Sequence, residues 1–189
     1  MKRTTLALCL ALAPWASQAG DIEEAIAAGQ AAYQQGKLSQ AASQLAYAAT
    51  LIQQQQGEQL SKLFPPPLAG WTADEPEHDN ASMSLLGGGV HSERLYYKGD
   101  DISLTLRILK DSPLMQALAG MLASPQMAAM AGYKLKKING ANTMLQTQDD
   151  MNLTLVQGSV MVQIECDGCE EADLVAYAGK LDLTAMEQL

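Results

Sequence analysis

Ile102-Ser103-Leu104-Thr105-Leu106-Arg107-Ile108-Leu109 alternates apolar with polar side chains, and Lys110 follows it. Successive side chains of a strand point to opposite faces, so this run predicts a strand with one face buried and the other wet. Leu109 breaks the alternation only at the strand's end. Just upstream, Lys98-Gly99-Asp100-Asp101 supplies turn residues and Ser92 to Tyr97 a second strand, so the two form a hairpin. Further upstream, Trp71 opens a short strand, Asp74 to Asn80 reads as an acidic loop, and Leu85 to Val90 as a glycine-rich turn. Downstream, Ser112-Pro113 starts a helical stretch through Leu114 to Met121 and on to Met130, interrupted at Pro125 and ended by Gly132. Tyr133–Ile138, Thr143–Thr147, Leu153–Gln157 and Val160–Glu165 then read as four strands. Their turns are Asn139-Gly140, Asp149-Asp150 and Gln157-Gly158. A helix from about Glu170 to Lys180 and a tail helix from Thr184 close the chain. This order predicts an α+β domain over 70–189: a mainly antiparallel sheet, covered on one face, with an inserted central helix and a C-terminal helix.

The chain begins differently. Lys2 and Arg3, the apolar run Leu6 to Ala13, and Ser17-Gln18-Ala19 before Gly20 form the pattern of a cleaved export signal over 1–19. The run is too short to span a bilayer, and no later stretch has spanning length, so stable membrane insertion is not expected. Leu6-Ala7-Leu8-Cys9 is not a lipidation box, because Leu8 is bulky and Cys9 sits inside the apolar run. The mature chain is therefore expected to be soluble and periplasmic, or else secreted. Lys2 and Arg3 carry all the leader's charge, so 10 of the 12 Lys+Arg remain against 21 Asp+Glu, a net −11. Such an excess repels phosphate backbones and anionic membrane surfaces, which argues against nucleic-acid binding.

Residues 20–63 are rich in Ala and Gln with apolar residues at helical spacing. Ile22, Ile26, Gly29 and Tyr33 make one stripe, with Asp21, Glu23 and Glu24 in the first turn where the helix dipole favours them. Gly36 stops that helix, and Leu38, Ala41, Leu45, Ala48 and Ile52 form a second stripe, so the two helices are expected to pair as an αα-hairpin. Gln53 to Gln56 and Gly57 read as a fraying continuation. Pro65-Pro66-Pro67 ends the helical region, making 64–69 a linker.

Gly29, Gly36, Ala41, Leu45 and Ala48 stand at the spacings of the small packing positions of a tetratricopeptide repeat, which residues 22–53 resemble. Tyr33 lies one place beyond the usual aromatic position, held here by Ala32, and Gln53 stands where the repeat has proline. No second copy follows. The resemblance implies protein–protein contact. The opening Pro67-Leu-Ala-Gly70-Trp71, followed by strands, a central helix, strands and a closing helix, resembles the PsbP-like fold. That likeness implies a non-enzymatic accessory or assembly factor.

Cys166-Asp167-Gly168-Cys169 joins a predicted strand to a predicted helix. Once Cys9 leaves with the leader these are the only cysteines, and in an oxidising compartment they pair as a turn-locking disulfide. A thiol-redox role is the alternative, opposed by Glu165, Asp167, Glu170 and Glu171, whose negative charge raises a thiol pKa. Metal binding by the pair is a third reading. His78 and His91 fall on different predicted elements and offer no metal site. Met115, Met121, Met127 and Met130 suit a core or an apolar contact surface better than copper. Gly87-Gly88-Gly89 lacks the Lys-Ser/Thr of a phosphate loop, and no nucleophile elbow occurs. No catalytic residue, metal or cofactor is assigned. Tyr33, Tyr47 and the four methionines are the candidate contact surface. The expected function is a non-enzymatic binding or accessory protein whose partner is another exported protein. Thiol–disulfide redox through Cys166 and Cys169 is the alternative, and carriage of a small apolar ligand the second alternative.

Overall fold

The computed structural model describes residues 15–78, 89–112, 114–147 and 151–189. Residues 1–14 of the expected export signal, the loop end at Asn80, the turn residues Gly87 and Gly88, Pro113, and the expected Asp149-Asp150 turn lie outside the described residues. The chain divides into two compact units between Ile52 and Gln53.

The first unit holds helix α1 (Trp15–Gln34) and most of helix α2 (Leu38–Ser61). Gly36 sits at φ 72° between them, a conformation that costs a β-carbon-bearing residue energy. The Lys37 N–H donates to the Ala32 carbonyl and the Gly36 N–H to the Tyr33 carbonyl, each at 3.0 Å. These two bonds make a Schellman motif, which reverses the chain. The buried residues of the hairpin are Ala25, Gly29 and Ala32 on α1 and Ala41, Ala48 and Leu51 on α2. A Cβ on Gly29 would lie 2.9 Å from Leu45 Cγ, so the glycine is what lets the helices approach here. The expected stripes need correcting. Ile26, Tyr33, Leu38, Leu45 and Ile52 are exposed, and the seam is made of the stripes' own Gly29, Ala41 and Ala48 together with Ala25, Ala32 and Leu51. Close approach selects alanine and glycine, and leaves the larger apolar side chains beside the seam.

The second unit begins inside α2. The glutamine run does not fray: α2 continues to Ser61, Gly57 is buried, and Gln56 Nε2 donates to the Leu189 carbonyl at 3.3 Å. The reason lies just downstream. Leu60, Leu63 and Phe64 fall at i, i+3 and i+4 and join the main core, with Leu60 fully buried. Phe64 and Pro65 are buried as well, so the proline segment starts inside the protein.

Seven strands form one antiparallel sheet: β1 (Thr72–Ala73), β2 (Val90–Lys98), β3 (Ile102–Lys110), β4 (Lys134–Ile138), β5 (Ala141–Gln146), β6 (Met151–Gln157) and β7 (Val160–Asp167). Their order is β1-β2-β3-β7-β6-β5-β4. The β4–β5 hairpin closes on Ile138 opposite Ala141, with Asn139 at φ 52° and Gly140 at φ 80°, the mirror-image turn that suits strand twist. On one face, Leu104, Leu106 and Ile108 of β3 stand opposite Cys166, Ile164 and Val162 of β7. That face forms the core with helices α5 (Glu171–Ala178) and α6 (Leu183–Glu187), through Leu174, Tyr177, Leu183 and Met186. Between β3 and β4 come α3 (Leu114–Ala123) and α4 (Pro125–Met130), parted at Ser124, whose hydroxyl accepts from the Met127 N–H.

The second face is not fully wet, as one-sided cover would require. Leu109 and Met161 are buried there, with Met115 and Leu118 of α3 and Val156 of β6 packed against them. Leu109 breaks the alternation because α3 lies over it. Lys110, back on the core face, is buried with Nζ donating to the Glu187 carbonyl at 2.9 Å and to Ser159 Oγ at 3.2 Å.

Three aromatic rings tie the proline segment to this core. Tyr177 meets Trp71 edge-on at 5.3 Å and Tyr96 at 4.6 Å. The Tyr96 hydroxyl donates to the Pro65 carbonyl at 2.8 Å, and the Leu68 N–H donates to the Tyr177 hydroxyl at 3.3 Å. Burial pushes the Tyr96 hydroxyl well above the usual tyrosine pKa, with Arg94 pulling partly against it; burial also raises Tyr177, opposed by the Leu68 N–H. The neutral forms are favoured only in the folded chain. Their contribution is therefore complete below the unfolded value of about 10 and is lost as pH rises toward the folded values. Denaturant midpoints should hold to about pH 9 and fall as pH rises past about 10, and Tyr96→Phe should flatten that fall. Leu60→Ala should lower stability by about 2–5 kcal/mol in the same measurement, whereas a fraying helix end would leave it unchanged.

Candidate functional site

Four groups of residues offer chemistry or contact, and they lie in different parts of the fold. The first is the hairpin's surface. Ile26 and Tyr33 are seven residues apart on α1, as are Leu38, Leu45 and Ile52 on α2. Seven residues is nearly two turns, so each set is one stripe, roughly 80° around its helix from the buried seam. Because the helices run antiparallel, both stripes fall on the same side of the hairpin. Tyr33 is 67% exposed and Leu38 64%. Tyr47, also exposed, lies on the opposite side of the seam, so the two tyrosines do not share a surface. Ile26, Leu38, Leu45 and Ile52 were missed as surface residues. The signal that finds them is the spacing of the small residues Ala25, Gly29, Ala32 and Ala41, Ala48, which marks the seam more truly than residue size.

The methionines separate in the same way. Met115 lies against Leu109 and Met161 under α3, and Met121 is half-buried. Met127 and Met130, three apart on α4, are 54% and 90% exposed. Only this last pair presents thioethers to solvent together.

The cysteines stand at disulfide distance, their Cα atoms 5.8 Å apart. Cys166 belongs to β7, and Cys169 precedes Glu170, the N-cap of α5, whose N–H donates to Asp173 Oδ2 at 3.3 Å. Cys166 Sγ lies 2.9 Å from the Ser103 carbonyl oxygen. Cys166 also borders a hollow of about 500 Å³ with Ser103, Thr105, Met151, Asn152, Glu165 and Asp167. A smaller hollow of about 140 Å³ shares Asn152 and Glu165 and adds Tyr133, Thr154 and Gln163. Hydroxyl, amide and carboxylate groups dominate both linings, which suits water or a polar ligand better than an apolar one. Beside them, Arg107 of β3 donates Nε to Glu93 of β2 and Nη1 to Glu165 Oε2 of β7 at 2.6 Å. Burial alone would depress the guanidinium's pKa; the bonds to Glu165 and Glu93 outweigh it and hold the charge. This bridge occupies one wall carboxylate of the hollow.

The fourth group joins residues far apart in sequence. Ser61 Oγ lies 3.0 Å from Ser92 Oγ and 3.5 Å from His78 Nδ1, and donates to the Gly57 carbonyl at 2.9 Å. Ser92 Oγ lies 3.0 Å from the Glu77 carbonyl, to which it donates. Ser92 is fully buried and the Ser61 proton is held by a backbone carbonyl, so the cluster is a strut between α2 and the Glu77 segment rather than an activated nucleophile. Separations of 17 and 31 residues left no sequence signal for it.

Among the described residues no group of three or more His, Cys, Asp or Glu is arranged to hold a metal ion, and no helix is long and apolar enough to cross a membrane. No family model, curated protein or solved structure matches the chain. The tetratricopeptide and PsbP-like resemblances therefore rest on the residues themselves. Because the Cys166–Cys169 loop is short, Cys166→Ala with Cys169→Ala should lower stability by about 2 kcal/mol or less, read as a small fall in the thermal midpoint.

Proposed function

We propose that this chain is an exported, non-enzymatic accessory protein of the periplasm that binds another polypeptide through the apolar side of its N-terminal hairpin. The observation that carries the reading is the row Ile26, Tyr33, Leu38, Leu45 and Ile52, exposed together on one side of two helices. Scattered exposed apolar residues need no explanation, but a contiguous set on one face marks a contact surface. Export is supported by the leader pattern of Lys2, Arg3, Leu6–Ala13 and Ser17–Ala19. The acidic balance, pI about 4.6, suits a well-solvated surface elsewhere.

The position of Cys166 on the rim of the 500 Å³ hollow supports the second reading, thiol–disulfide exchange with a substrate seated there. The reading is disfavoured by the negative charge of Glu165, Asp167, Glu170 and Glu171 around the pair. The two readings separate on one variant pair. With Tyr33→Asp and Leu38→Asp together, affinity capture from periplasmic extract should fall at least about tenfold while the melting temperature stays within a degree or two. Capture unchanged by that variant, or an empty capture with the native chain, overturns the hairpin reading. Loss of capture on Cys166→Ala instead favours the redox one.

A further inference from the structure

We propose that the polar trough on the second sheet face is a binding site for a neutral, polyhydroxylated ligand, a short linear oligosaccharide. The trough lies apart from the hairpin, so this inference stands or falls separately from the proposed function. Strand register sets its floor. Thr105 of β3, Glu165 of β7, Asn152 of β6 and Gln146 of β5 stand directly opposite one another, one from each of four neighbouring strands. Arg107, Gln163 and Thr154 make the next row, and Ser103 beside Asp167 the one before. Neighbouring strands lie about 4.8 Å apart, so the row of four is roughly 14 Å long, which suits a short chain of rings better than a single one. The hollows of about 500 Å³ and 140 Å³ follow this row, and the larger is by itself within the size range of small-ligand sites.

The ligand class follows from the groups that line the rows. Amides and hydroxyls donate and accept, carboxylates accept and a guanidinium donates, so β3, β7 and β6 each offer both functions. A sugar hydroxyl needs that mixture, because it donates one hydrogen bond and accepts others. The planar groups are held in place by one another: Asn152 Nδ2 donates to Gln146 Oε1 at 3.0 Å, and Arg107 Nη1 donates to Glu165 Oε2 at 2.6 Å. A site fixed before the ligand arrives loses less on binding. The ring of Tyr133, in the wall of the smaller hollow, supplies an apolar face for the C–H side of a sugar. The same residues oppose other classes. Glu93, Glu165 and Asp167 against Arg107 leave two negative charges, which repel an anion. Arg107 already meets the charge of Glu165, which leaves Asp167 at one end of the larger hollow to face a cation. Among the described residues Met151 and Cys166 are the apolar members of that lining, too few to seat an apolar ligand.

The test is calorimetric titration of the full chain with maltotriose, cellotriose and chitotriose, joined to NMR of the Asn and Gln side-chain amides. At least one sugar should bind saturably, with a dissociation constant of about 1 mM or below, and shift the amide signals of Asn152 and Gln163. Asn152→Ala should weaken that binding at least about tenfold and Thr105→Val about fivefold, since each removes groups that bond the ligand. Both positions are partly exposed, and valine keeps the branching that strands favour, so Thr105→Val tests the site in a folded chain. Tyr33→Asp with Leu38→Asp should leave sugar binding unchanged, and failure of the hairpin to capture a polypeptide would leave this site standing. No saturable binding of any of the three sugars, or binding indifferent to both trough variants, overturns the proposal. Saturable binding of spermidine in place of the sugars also overturns it, because the trough would then select charge rather than hydroxyls.

Discussion

The second unit depends on Tyr177. This one side chain, projecting from α5, touches Trp71 with its edge, packs on Tyr96 from β2, and accepts from the Leu68 backbone. Aromatic pairs in these offset geometries add to the gain from burial itself. Proline-rich backbone lacks donors for a sheet or helix, so the segment after α2 has to be held by other means. Tyr96 holds it at Pro65 and Tyr177 holds it at Leu68. The chain therefore enters β1 already anchored, and α2, β2 and α5 are fixed against one core.

The two faces of the sheet follow from that anchoring. One is filled by α5, α6 and the end of α2. The other receives only α3, over Leu109 and Met161, and remains polar elsewhere, with Arg107 bridging Glu93 and Glu165 across three strands. A bridge that is half-exposed contributes little stability on its own. Its effect is to set two carboxylates and a guanidinium on a sheet face that would otherwise be open to pairing with apolar matter. The polar hollows beside Asn152 and Glu165 are a consequence of this incomplete cover.

The parts of the fold that follow from local chemistry were legible. The alternation at Ile102–Ile108, the turn at Lys98–Asp101, the Asn139-Gly140 hairpin and the Pro125 break each have a short-range cause, and each stands in the structure. The errors share a different origin. The Gln53–Gln56 run looked solvated because its anchor, Leu60, Leu63 and Phe64, lies in the next turn and packs on strands that come later in the chain. The small members of the hairpin stripes, Gly29, Ala41 and Ala48, lie in the seam as expected, but the large ones do not, because size was weighed above closeness of approach; Gly29 against Leu45 shows that closeness decides. The Ser61, Ser92 and His78 strut, and the hollow beside Cys166, depend on sheet register between distant strands, and no spacing in the sequence encodes that directly.

What distinguishes a contact surface from an interior is whether it is covered in the cell and bare when the chain is diluted. Hydroxyl-radical labelling read by mass spectrometry measures this side chain by side chain. Tyr33 and Leu38 should be strongly labelled in the dilute purified chain and protected in intact cells, with Tyr96 and Tyr177 protected in both. Equal labelling of Tyr33 and Leu38 in the two settings would contradict the account, because a surface that is never covered binds nothing.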